Sequence, residues 1–98
     1  MKVSDHEPHT WFLLEESGRY YIDARVTRSA AEWSILVELT PQEYREYHAI
    51  GRLYLSYLAA RIHNFADEYS ARDLTKALGE KAMRAIQEWR TSGGGRPH

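Results

Sequence analysis

Cysteine is absent from this chain, which removes disulfides, thiolate catalysis and cysteine-ligated zinc together. Proline is scarce, with three residues, and three of the six glycines stand side by side at 93–95. The body of the chain is therefore poor in residues that break regular structure, and its composition is not that of a disordered segment. Neither sign of charge dominates. Thirteen Lys and Arg against 14 Asp and Glu give a formal net charge of −1, so no global field draws the protein to nucleic acid or anionic lipid. No apolar run approaches the ~18 residues of a membrane span. The opening MKVSDHEPHT has no apolar centre and does not read as a signal peptide. A cytoplasmic location is the expectation, with no membrane partner.

What is present is a globular balance: 43% apolar and 28% charged residues over 98 positions. A chain of this size makes one domain and buries about 60–65% of its unfolded surface. Arginine outnumbers lysine ten to three, but the arginines are scattered among acids and form no block.

Residues 1–9 are polar and read as a flexible N-terminal segment. WFLLEE (11–16) and RYYIDARVT (19–27) are rich in aromatic and β-branched residues, and the Ser17-Gly18 between them suits a two-residue type I′ hairpin turn. That turn sets Glu16 opposite Arg19 and Trp11 opposite Ala24. One face then carries Trp11, Leu13, Tyr20, Ile22, Ala24 and Val26, and the other Phe12, Leu14, Tyr21, Asp23 and Arg25. EWSILVELT (32–40) reads as a third strand, with Trp33, Ile35, Val37 and Leu39 on one side. Short links predict an antiparallel meander of order 1-2-3.

Thr40, Pro41 and Glu43 form an N-cap, a first-position proline and a capping box, and the helix they open is expected to run to Asn64 or Phe65. Ser70 and Asp73 open a second amphipathic helix carrying Leu74, Leu78, Ala82, Ala85, Ile86 and Trp89. TSGGGRPH ends it as a flexible tail (92–98), leaving 10–91 as the domain. The expected fold is α+β: three strands, then two helices packed on one face of the sheet, in two layers (β-β-β-α-α).

The first helix carries more apolar surface than this needs. Tyr44, Tyr47, Leu55, Leu58 and Ile62 share one face, while Ile50, Leu53 and Tyr57 make a second ridge on its flank. A three-stranded sheet is only about 15 Å wide, and two helices need ~8–10 Å between axes. The second helix would therefore lean on that ridge through Leu78, Ala82 and Ile86. The alternative is a two-fold interface with the ridge packed on its own copy. Gly51, in mid-helix on the core face, marks either a close approach of sheet or partner helix or a neutral, tolerated glycine.

Two further surfaces point outward. Phe12, Leu14, Tyr21 and Leu36 would form an apolar patch on the sheet face away from the helices, where polar residues are normal. The third strand would be a bare, strongly β-prone edge. Ridge, patch and edge together predict a homodimer or another protein partner, with Phe12, Leu14, Tyr21, Leu36, Ile50, Leu53 and Tyr57 as the possible interface.

Catalytic chemistry is not evident. His6 and His9 lie in a segment without a preorganised shell. Arg45, His48, Arg52 and Ser56 form a polar stripe that could hold an anion but reads first as a solvated helix side. Asp23, Glu32 and Glu38 share a face with Arg25 and read as a cross-strand ion network. No nucleophile elbow or phosphate loop occurs, since the GGG follows the last helix. No metal and no cofactor are expected, and the chain reads as a non-enzymatic interaction module. The alternative is a single-stranded nucleic-acid binder that stacks bases on Phe12 and Tyr21, with Arg19, Arg25 and Arg28 supplying charge. The acids interleaved among those arginines and a pI near 6.5 make nucleic acid the less favoured partner.

Overall fold

A computed structural model describes residues 1–93. Among these residues the fold is α+β, with a four-stranded antiparallel sheet and four helices. The expected first strand proves to be the second. Lys2–Glu7 forms strand β1, paired with β2 (Trp11–Glu16). Pro8 and His9 turn the chain between them: the Thr10 N–H donates to the Glu7 carbonyl at 3.0 Å, and His9 has φ 63°. Proline followed by a positive φ is the type II turn arrangement. Val3 packs into the core, and Arg52 reaches back to the Asp5 and Glu7 carboxylates at 3.1 Å each and to the His6 carbonyl. These contacts order a segment that polarity alone marked as loose.

The rest of the sheet follows local chemistry. Ser17 (φ 53°) and Gly18 (φ 78°) make the tight turn to β3 (Arg19–Arg28), and the register runs from Glu16 opposite Arg19 to Trp11 opposite Ala24. A second two-residue turn, with Ser29 at φ 53°, leads to β4 (Ala31–Glu38). The strand order is β1-β2-β3-β4.

The single helix expected from Pro41 to Asn64 is two. Helix α1 (Pro41–Ile50) opens with the capping box, Thr40 Oγ1 accepting from the Glu43 N–H at 3.1 Å and Glu43 Oε1 accepting from the Thr40 N–H at 2.9 Å. It stops at Gly51, whose φ of 86° and ψ of −151° lie in a region open essentially to glycine alone. Helix α2 (Arg52–Asn64) resumes beyond it. The close approach that was one reading of Gly51 is not there: a methyl group at this position would meet nothing within 4 Å. Gly51 is required for its backbone angle and not for space.

After the short helix α3 (Ala66–Tyr69) and a 3₁₀ turn (Ser70–Arg72) comes helix α4 (Thr75–Thr91). Asp73, and not Ser70, anchors its start. Asp73 Oδ1 accepts from the Thr75 N–H at 3.0 Å, the Thr75 hydroxyl at 2.6 Å and the Leu36 N–H of β4 at 3.1 Å. The Gly-rich tail lies outside the described residues beyond Gly93. Among the described residues, no helix is long and apolar enough to cross a membrane.

The main correction concerns layers. Helices α1 and α2 lie on one face of the sheet, where Leu55, Leu58, Ala59 and Ile62 pack on Trp11, Leu13, Ile22 and Val37. Helix α4 lies on the opposite face, with Ala82, Ala85 and Ile86 against Leu14, Tyr21 and Leu36. The helices sandwich the sheet instead of sharing a face. The chain crosses the β4 edge on the way, and the crossing plugs that edge. The Leu74 N–H donates to the Leu36 carbonyl at 2.7 Å, and Arg72 Nη2 donates to the Glu38 carbonyl at 2.9 Å. The bare edge expected as a pairing site is closed over Leu36–Glu38 by the protein's own backbone and by Arg72. Arg72 also grips Glu43 with both nitrogens, at 2.6 and 3.1 Å, tying the crossing to the start of α1. Burial would raise the Glu43 pKa, but the Arg72 guanidinium and the Thr40 N–H hold it below the ordinary value.

Candidate functional site

The seven residues expected at an interface fall into two groups. Leu14, Tyr21 and Leu36 are buried under α4, and Phe12 is half-buried beside them. They are core, not an outer patch. Tyr21 is only 4% exposed and cannot serve as a base-stacking platform, and Arg25 is paired with Glu32 at 3.0 Å. The aromatic sheet face that would have received single-stranded nucleic acid is therefore covered.

The ridge is the converse case. With α4 on the far side of the sheet, none of the described residues covers Ile50, Leu53 and Tyr57, which are 53%, 77% and 57% exposed. Ile50 ends α1 and Leu53 begins α2 across the Gly51 break, so the ridge spans both helices. Ala60 continues it and is also exposed. Two of the four residues in the polar stripe next to it, Arg52 and Ser56, are engaged within the fold. Arg52 is committed to Asp5 and Glu7 and lies 5.6 Å from the Trp11 ring centroid, while Ser56 Oγ accepts from the Trp11 indole N–H at 3.2 Å. His63 is tied into the fold, its ring nitrogen 3.1 Å from the Thr27 hydroxyl and its carbonyl accepting from Arg28.

A second feature had no counterpart in the sequence reading. Between the sheet and α4 lies a half-open cleft of about 520 Å³, within the ~300–1,000 Å³ range of small-molecule sites. Its floor is Phe12, Asp23, Arg25 and Ser34; Gly79 and Trp89 of α4 form one wall, and the β1–β2 turn with His6 and His9 the other. Trp89 stands edge-on to Phe12 at 5.5 Å and to His6 at 4.5 Å. The expected ion network splits here. Arg25 takes Glu32, Arg19 approaches Glu38 at 3.9 Å, and among the described residues Asp23 has no salt-bridge partner. Burial pushes the Asp23 pKa up from 3.8 to about 6, against the Ser34 hydroxyl, which lowers it. Asp73 raises it further, and Arg25 lowers it. A carboxylate so perturbed in a cleft is a candidate functional group. The one signal available in the sequence is Asp23 itself, the single acid of β3.

The histidines of the N-terminal segment do not converge on carboxylates. Among the described residues, no group of three or more potential metal ligands comes together. No protein family, curated protein or solved structure matches this chain.

Proposed function

We propose that this protein is a small non-enzymatic interaction module that pairs with a second copy of itself through the α1–α2 ridge. The observation that carries this reading is Leu53, 77% exposed on a structured helix between two other exposed apolar residues. Leu53, Tyr57 and Ala60 follow one another on α2 at steps of four and three, the spacing of a two-helix seam, and Ile50 ends α1 just before the Gly51 break. A two-fold interface must complement itself. This stripe carries no charge of its own, and it sets large residues beside a small one. An antiparallel pairing about an axis at Tyr57 brings Leu53 onto the partner's Ala60.

The stripe is short, so the interface belongs at the weak end of the size range, below ~1,200 Å² in total, and the dimer is concentration-dependent. Light scattering over a dilution series tests it. The mass should rise toward the dimer between micromolar and millimolar protein, and Leu53→Glu should hold the mass at the monomer with an unchanged circular dichroism spectrum. A strict monomer at millimolar concentration would sink the proposal, as would a Leu53→Glu variant that still dimerises.

A further inference from the structure

We infer that the cleft between the sheet and α4 is a binding site for a planar nitrogen heterocycle with a paired N–H donor edge and an anionic substituent, the chemistry of a guanine nucleotide. The inference is independent of self-association, because the ridge lies across the sheet from the cleft.

The Asp23 carboxylate sets the edge. It lies on the cleft floor, and its strand neighbour Arg25 is taken by Glu32. A carboxylate only accepts, through two oxygens, and so matches two adjacent donors on one ligand edge. Guanine presents such a pair, while the corresponding adenine edge sets an acceptor beside its donor. The walls select for flatness: Phe12, Trp89 and His6 meet at ring-to-ring distances of 4.5–5.8 Å, forming an aromatic corner against which a ring can stack.

Charge sets the substituent. Among the described residues lining the cleft, Asp23 is the only acid and Arg25 is paired with Glu32, while Arg90 is in none of the ion pairs and its guanidinium stands 5.6 Å from the Phe12 centroid. An anionic group suits the Arg90 guanidinium. Space is kept by Gly79, a mid-helix glycine at the wall. A methyl there would meet Thr75 Cγ2 at 3.2 Å, and a larger side chain would occupy the cleft.

The test is an NMR titration of the full chain with GMP, guanosine and AMP, read at the indole N–H of Trp89 and the backbone amides of Phe12 and Asp23. The expected result is saturable shifts with GMP, and AMP and guanosine each weaker by about tenfold or more. Asp23→Asn, which removes the double acceptor while keeping the shape, should weaken GMP by a similar factor, and Gly79→Leu should abolish its binding. No shift at millimolar GMP would overturn the inference, as would equal binding of GMP and AMP. Undiminished GMP binding by a folded Asp23→Asn variant would also overturn it.

Discussion

Asp23 offers a measurement that reads the interior of the fold directly. Its carboxyl is held at a pKa of about 6 in the folded chain against an ordinary value of 3.8, chiefly because ionisation leaves a charge beneath α4. The folded state therefore binds this proton more tightly than the unfolded state does. The group contributes most to stability below about pH 4, and the contribution is lost as pH rises through 6. The difference between the two values corresponds to about 3 kcal/mol at pH 8, a large share of the ~5–15 kcal/mol that holds a domain together.

Asn at this position has nearly the same shape and no charge to bury. Asp23→Asn should therefore gain on the wild type as pH rises. The two should be nearly matched at pH 3.5, and the variant should be ahead by about 3 kcal/mol at pH 8. Urea unfolding followed by tryptophan fluorescence gives both curves. Glu16, held low by Lys81 at 2.8 Å and by the N-terminal ammonium at 3.1 Å, and Glu43, held low by Arg72, lose stability in acid in both proteins. Their contributions cancel in the difference. A gap that does not change with pH, or one that widens toward acid, would refute the burial of an ionised Asp23.

Two further substitutions test the architecture. Gly51→Ala should cost roughly 1–3 kcal/mol, since no L-residue side chain tolerates φ 86° with ψ −151° without strain. A denaturation midpoint within error of wild type would mean that α1 and α2 form one continuous helix. Leu14→Ala should cost about 2–5 kcal/mol as a core truncation, while Leu53→Ala, on the uncovered ridge, should stay within about 0.5 kcal/mol for the monomer. Similar costs at the two positions would contradict the placement of α4.

Much of the local structure was legible because its causes are local. The Ser17-Gly18 turn, the register it imposes and the Thr40–Glu43 capping box depend on residues within a few positions of one another, and each formed as expected. The N-terminal strand was missed because its order comes from partners far along the chain, with Arg52 bonding to Asp5 and Glu7 and Val3 packing beneath α4. Gly51 was read as a packing residue or a tolerated one because sequence shows the absence of a side chain, not the backbone angle that needs it.

The side of the sheet taken by the last helix was the decisive unknown. WFLL, YYI and SILVEL placed apolar residues on both faces of the strands, and such runs are what a sheet covered on both sides requires. The sequence by itself thus determined that two apolar sheet faces and a surplus helix ridge existed, because these follow from periodicity. Only the tertiary structure decided how they were partnered. The crossing at Arg72–Leu74 carries α4 over the β4 edge and onto the second face. That one step turns an expected outer patch into core and leaves the α1–α2 ridge uncovered by the other described residues. It also closes a cleft above Asp23.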